Sequence, residues 1–109
     1  MDKRFLRSKL LLGDESINLL ANSTVLVVGL GGVGGYVVES LARTNVGKLI
    51  LVDYDNVDIT NINRQLIALN STVDKDKVDV FKARINDINP RYNNGKIRTA
   101  NILAEILKN

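Results

Sequence analysis

Residues 24–53 read TVLVVGLGGVGGYVVESLARTNVGKLILVD, and this stretch decides the fold class of the chain. It opens with the β-branched apolar run Thr24–Gly29, whose length and glycine border predict a buried strand. The segment 31–45 then predicts a helix, with apolar residues at helical spacing at Val33, Val37, Leu41 and Ala42. The apolar run Lys48–Asp53 predicts a second buried strand. A strand, a helix and a strand in this order are typical of a parallel sheet in an α/β fold.

The composition is that of an ordinary small globular domain. The chain has 109 residues, of which 45% are hydrophobic and 25% charged, and its net charge is +3. These values predict one domain and favour neither nucleic acid nor a membrane surface as a partner. The chain contains no cysteine and no histidine, which excludes a disulfide, a thiolate metal site and a histidine base. No apolar stretch approaches the length of a membrane span, and we expect a cytoplasmic protein.

The segments on either side of this unit predict further helices. Residues 4–12 favour a helix, and Asp14 is a candidate cap for a helix that ends near Ala21. After the second strand, residues 61–69 predict a short helix. Residues 75–88 predict an amphipathic helix with one apolar face, formed by Val78, Phe81, Ile85 and Ile88.

The tail is where the α/β pattern stops. Residues 91–98, RYNNGKIR, are polar and turn-like, and residues 99–107 favour a small helix with Ile102, Leu103 and Ile106 inward. We therefore expect a partial sheet of two strands in a chain that is truncated or completed by a partner. The predicted organisation is an N-terminal helical arm at 1–23, a Rossmann-like nucleotide-binding unit at 24–90 and a divergent tail at 91–109.

The loop between the first strand and the helix has the pattern G-x-G-x-x-G, formed by Gly29, Gly31 and Gly34, with a further glycine at Gly32. Such glycines let phosphate oxygens approach backbone amides at a helix N-terminus. Asp53 ends the next strand, where a carboxylate can bind ribose hydroxyls. NAD, FAD, S-adenosylmethionine and ATP all bind similar loops, and a tight turn without a ligand is the alternative. The loop therefore predicts a nucleotide without choosing one.

Four cations around this unit favour a triphosphate over a dinucleotide. Arg64 lies in the polar stretch after Asp53, Lys77 lies near the start of the amphipathic helix, and Arg4 and Arg7 lie on the arm. A triphosphate needs such charge compensation while a carboxylate attacks its α-phosphorus. The alternative for Arg7 and Lys77 is that they are solvated surface cations. An NAD-linked oxidoreductase is a less favoured interpretation of the glycine loop.

Together these motifs resemble the family that includes MoeB, ThiF, HesA and the ubiquitin-activating enzymes. The resembling segments are RFLR at 4–7, VLVVGLGGVGGYVVESLAR at 25–43, GKLILVDYDNVDITNINRQ at 47–65, DKDKV at 74–78 and INDINP at 85–90. Within the family, TNINRQ and the residues just after it are most similar to the branch of tRNA threonylcarbamoyladenosine dehydratases, TcdA.

The resemblance implies a Rossmann-like ATP-binding unit at 24–90 and assigns binding roles by position. Phosphates would lie over the glycine loop, and Asp53 would bind the ribose. Asp55 and Asn61 would lie near the sugar and the phosphates.

The catalytic residues that the resemblance implies are cations. Arg64 and Lys77 would contact the triphosphate, and Arg7 would act as an arginine finger in the partner's site of a homodimer. The implied reaction joins a carboxylate to AMP and releases pyrophosphate. The carboxylate belongs to threonylcarbamoyladenosine of tRNA in the TcdA branch and to a ubiquitin-like carrier protein in sister branches. A non-catalytic module that binds nucleotide or dimerises is the alternative.

The resemblance also implies Mg²⁺ as a cofactor. In the family, the main carboxylate that holds magnesium lies on a further strand beyond this segment, so no metal ligand is assigned within residues 1–109. The half of the family's enzymes that binds the substrate also lies beyond it. We therefore expect that these residues alone do not adenylate a substrate, because magnesium and orientation both contribute to such chemistry.

Overall fold

The computed structural model describes residues 2–101, and its centre is a three-stranded parallel sheet. The strands are β1 (Thr24–Val28), β2 (Lys48–Asp53) and β3 (Ile97–Asn101), in the spatial order β1-β2-β3. Both neighbouring pairs are parallel, as in repeated strand-helix-strand units. The predicted α/β class with a Rossmann-like partial parallel sheet is confirmed.

Four α-helices accompany the sheet in residues 2–101: α1 (Leu6–Leu12), α2 (Asp14–Ala21), α3 (Gly32–Arg43) and α4 (Lys77–Ile88). Each lies where the sequence predicts a helix, to within two residues at either end. The prediction that Asp14 caps α2 is wrong, because Asp14 is the first helical residue and Gly13 precedes it as the N-cap. Within the described part of the chain, no helix has the length and apolar character needed to cross a membrane.

The core lies between one face of the sheet and the helices α3 and α4. The side chains that these helices bury are Val38 and Ala42 of α3 and Val78, Phe81 and Ile85 of α4. Gly35 lets the two helices approach closely, because a Cβ there would lie 2.9 Å from Phe81 Cζ. The predicted apolar face of α4 is confirmed, whereas Val33 and Val37 of α3 are exposed.

The opposite face of the sheet is uncovered within residues 2–101, which corrects the prediction that β1 is fully buried. Leu26 and Val28 are 59% and 68% exposed, while Val27 on the helix side is buried. The cause is that α3 and α4 pack on the same face of the sheet. A continuous apolar run predicts two covered faces but does not say which segment covers each of them.

The tail contains a strand, which corrects the prediction of two strands followed by a small helix. β3 pairs with β2 over five residues, from Leu49 with Ile97 to Asp53 with Asn101. Its formation rests on backbone pairing, and Ile97 is its one side chain that the structure shows fully buried in the core. The helix predicted at 99–107 is therefore wrong at 99–101, and its remainder lies outside the described residues.

The short helix predicted at 61–69 is also wrong, because polar side chains hold this segment in turns. The Asn61 side-chain oxygen accepts the Asp58 backbone N–H at 2.9 Å. The Thr72 hydroxyl donates to the Ile67 carbonyl at 2.6 Å. Such side-chain bonds to nearby backbone groups stabilise turns in competition with a regular helix.

Candidate functional site

The glycine loop (residues 29–34) joins β1 to α3 at the carboxyl edge of the sheet. Gly29 has φ +88° and Gly32 has φ +47°, in the left-handed region that favours glycine. Gly34 is required by close packing, because a Cβ there would overlap the Gly29 carbonyl oxygen. Gly31 is the N-cap of α3, so the free backbone N–H groups of the first helical turn lie at this loop.

Asp53 fastens the glycine loop to the end of β2. Its Oδ2 accepts the Leu30 backbone N–H at 2.6 Å, and its Oδ1 accepts the Asp55 backbone N–H at 2.7 Å. The residue is 6% exposed. A carboxylate has about four acceptor positions, so this arrangement leaves acceptor capacity for ribose hydroxyls, which is the role predicted for Asp53.

Lys77 is a buried residue whose ammonium lies at the glycine loop. The residue is 4% exposed, and its Nζ lies 3.8 Å from the position that a Cβ on Gly31 would occupy. Its nearest carboxylate oxygen, Asp55 Oδ2, is 4.0 Å away. A buried charge with one distant partner is incompletely compensated. Lys77 is therefore not a solvated surface lysine, and its surroundings favour an anionic ligand.

Gln65 is a residue of this site that the sequence does not single out. Its Nε2 lies 3.2 Å from the same Cβ position on Gly31. Its Oε1 is buried and has no hydrogen-bond partner among the described residues. The signal in the sequence is that Gln65 ends the N-x-x-R-Q motif, but a residue type alone does not indicate burial.

Asn61, Arg64 and Arg7 do not contact the glycine loop through any hydrogen bond or ion pair in residues 2–101. Asn61 is buried, and its carbonyl accepts the Gln65 backbone N–H at 2.8 Å. Arg64 is exposed, and its guanidinium donates to the Thr60 carbonyl at 3.0 Å. Arg7 is exposed on α1. The ligand contacts assigned to these three residues by position stay predictions.

Arg4 lies near the far end of α3, which corrects the expectation that four cations gather at the glycine loop. It pairs with Asp2 and lines a cavity of about 460 Å³ with Arg43 and Arg84. Arg43 ends the twelve-residue helix that starts at the loop, so it lies roughly 16 Å away along the axis. Burial alone would raise the pKa of Glu39, but hydrogen bonds from Arg84 and Arg43 outweigh it and hold that pKa below its usual value. These arginines therefore already have an anionic partner.

The carboxylates near the loop do not form a magnesium site by themselves. Residues 2–101 contain no group of three or more acidic, histidine or cysteine side chains placed to hold a metal. Both oxygens of Asp53 already accept backbone N–H groups, and Asp55 Oδ2 lies 4.0 Å from Lys77 Nζ. We therefore assign no metal ligand here.

The family relationship follows from the sequence match over nearly the whole chain. Residues 4–106 match the ThiF family. This chain belongs to the ThiF family. The match includes β3, so the relationship extends past Pro90, where the motif resemblance ends.

Individual ThiF-family relatives agree with this assignment. The tRNA threonylcarbamoyladenosine dehydratase of Bacillus subtilis is 59% identical over 87 residues, which are 80% of this chain and 34% of that protein. The crystal structure of Escherichia coli TcdA in complex with ATP has a TM-score of 0.83 and 38% identity, covering 90% of this chain and 39% of that one. Ubiquitin-like modifier-activating enzyme 5 of Bombyx mori is 45% identical over 71 residues, which are 65% of this chain and 18% of that protein. The chain thus spans about a third of the length of the bacterial dehydratases of Bacillus subtilis, Haemophilus influenzae and Escherichia coli.

Proposed function

We propose that this chain binds ATP over its glycine loop and supplies the nucleotide-binding part of a carboxylate-adenylating enzyme. The observation that carries the proposal is the Lys77 ammonium, which belongs to a buried residue and lies beside Gly31 with a carboxylate no nearer than 4.0 Å. Such a charge stabilises a polyphosphate more than it stabilises a neutral ligand. The crystal structures of Escherichia coli TcdA with ATP and with AMP support a nucleotide in the related protein.

In the reaction that we propose, Lys77, Asp53 and the backbone N–H groups of the glycine loop each have a separate role. A substrate carboxylate oxygen attacks the α-phosphorus, the bond to pyrophosphate breaks, and the carboxylate becomes an acyl-adenylate. Negative charge grows on the phosphate oxygens during this step, and the Lys77 ammonium and the backbone N–H groups at Gly31 stabilise it. Asp53 orients the ribose through its remaining acceptor positions.

The substrate that we propose is the carboxylate of threonylcarbamoyladenosine on tRNA. Its acyl-adenylate would cyclise with release of AMP, so that the net change in the nucleoside is the loss of water. The 59% identity to the Bacillus subtilis dehydratase supports this choice. A ubiquitin-like carrier protein is the second candidate, supported by the 45% identity to a ubiquitin-like modifier-activating enzyme. A cytoplasmic location belongs to the same proposal, and a non-catalytic nucleotide-binding or dimerising module is the alternative.

Arg7 and Arg64 enter the proposal as cations that approach the triphosphate from outside the loop. Both are exposed, so each is free to meet a ligand. For Arg7 the family resemblance implies a contact in the partner's site of a homodimer. In its own chain Arg7 lies on the arm helix α1, which packs on α2. Mg²⁺ would accompany the phosphates when ATP binds, held chiefly by oxygens that residues 2–101 do not supply.

The proposal predicts that the chain binds ATP more tightly than NAD. NAD has two phosphates in a diester, whereas ATP adds the terminal charges that the Lys77 ammonium compensates. Isothermal titration calorimetry of the 109-residue chain with each ligand measures the difference, which we expect to be at least about tenfold in Kd. Tighter binding of NAD would overturn the ATP assignment and return the loop to a dinucleotide site.

A further inference from the structure

We propose that Gln65 is a phosphate-binding residue of this site, whose side-chain N–H group donates to a phosphate oxygen that lies over Gly31. The inference rests on the proposed function and adds to it a ligand contact made by a neutral side chain. Its basis is the position of the Gln65 amide, the lack of a hydrogen-bond partner for either end of that amide within residues 2–101, and the hydrogen bonds that hold the Gln65 backbone.

Two donors converge on the space that the missing side chain of Gly31 leaves open. Gln65 Nε2 and Lys77 Nζ lie 3.2 Å and 3.8 Å from the position that a Cβ on Gly31 would occupy. Neither nitrogen donates a hydrogen bond within residues 2–101. A neutral amide and an ammonium aimed at one point beside the N-cap of α3 form a cradle for an anionic oxygen.

The oxygen end of the Gln65 amide makes the observed orientation of this side chain unfavourable without a ligand. Gln65 Oε1 is buried and has no hydrogen-bond partner among the described residues, and a buried acceptor without a partner is unfavourable. The opposite orientation of the amide would point its oxygen at the glycine loop and repel a phosphate. The observed orientation therefore turns the N–H end toward the phosphate position and leaves the carbonyl unpaired.

The backbone around Gln65 is fixed from both sides. Its N–H donates to the Asn61 carbonyl at 2.8 Å, and its carbonyl accepts the Ala68 N–H at 3.1 Å. Asn61 is itself buried, and its side chain is bonded to the Asp58 backbone. These turns, which replace the predicted helix, deliver the Gln65 amide to Gly31 in the free protein. A donor positioned in advance loses little freedom when the ligand binds.

The test is Gln65→Met, with Asn86→Leu as its matched control. Both replacements remove a buried amide whose carbonyl is unpaired. Asn86 lies nine residues after Lys77 on α4, roughly 13 Å further along the helix.

We expect Gln65→Met to raise the Kd for ATP and for pyrophosphate about tenfold, because a hydrogen bond to a charged group is lost. Its melting temperature should stay the same or rise, because the unpaired carbonyl goes with it. Asn86→Leu should leave both Kd values unchanged.

A second variant, Gln65→Glu, covers the case in which Gln65→Met does not fold. It keeps the shape but replaces the donor with a negative oxygen, so we expect more than tenfold weaker pyrophosphate binding. Affinities of folded Gln65 variants within twofold of the wild type, or equal losses in Asn86→Leu, would overturn the role of Gln65. Failure of the wild-type chain to bind ATP while it still binds pyrophosphate would overturn the proposed function and leave this inference standing. Failure to bind either ligand would overturn both.

Discussion

Substitution of Gly34 by alanine is expected to lower the free energy of unfolding by more than about 3 kcal/mol, because the change places two atoms in one space. The new Cβ would overlap the Gly29 carbonyl oxygen. Gly29 cannot retreat easily, since its N–H donates to the Val52 carbonyl of β2 at 2.8 Å. For a domain of this size the loss corresponds to a fall of at least about 12 °C in melting temperature.

The matched control is Gly31→Ala, two residues from the loop's start. The Cβ added there would lie 3.2 Å from Gln65 Nε2, which belongs to a side chain that can move. We expect this variant to fold within about 1 kcal/mol of the wild type and to bind ATP poorly, because a methyl group would occupy the phosphate position. A Gly34→Ala variant that melts within 3 °C of the wild type, roughly the scatter expected for a surface change, would contradict the packing described for this loop.

Lys77→Met should remove most of the affinity for ATP and leave the fold intact. We expect a loss of about 2–4 kcal/mol of binding free energy, roughly 30- to 1,000-fold in Kd, because the ligand's phosphates lose a desolvated charge partner. Methionine preserves the packing of the aliphatic stem. It also removes the charge of a residue that is 4% exposed and whose ammonium lies 4.0 Å from its carboxylate, so stability should stay the same or improve.

The control for this variant is Lys82→Met on the same helix. Lys82 is exposed, and the change removes the same charge from the chain without touching the glycine loop. Calorimetry with ATP should show wild-type affinity for Lys82→Met. Equal losses in the two variants would mean that the net charge of the chain, rather than the position of Lys77, determines binding.

Much of this arrangement can be predicted from the sequence because its signals are local. The apolar runs around the glycine loop predict β1, α3 and β2, and the acid at the end of the second run predicts the place of Asp53. The periodic face of α4 likewise predicts its buried side chains. The role of Lys77 follows only from the family motif, because its place at the start of that helix would favour a surface lysine.

The remaining features depend on contacts between distant segments. Within residues 2–101, β3 lies at the edge of the sheet and pairs its backbone with β2, so it needs little apolar alternation. Leu26 and Val28 are exposed because α3 and α4 both pack on the other face of the sheet, which the sequence of β1 does not determine. Gln65 reaches Gly31 because Asn61 and its neighbours hold the chain in turns, whereas helix propensity over 61–69 predicts a regular element.

The central claim is that a triphosphate lies over the glycine loop beside Lys77. Backbone amide chemical shifts of the ¹⁵N-labelled chain during titration with ATP test it most directly. We predict that the largest shifts at saturation occur in residues 29–34, with further shifts at Asp53, Gln65 and Lys77, since these groups surround the loop. Unchanged loop amides at saturation, or shifts centred on the cavity lined by Arg43 and Arg84, would contradict the claim.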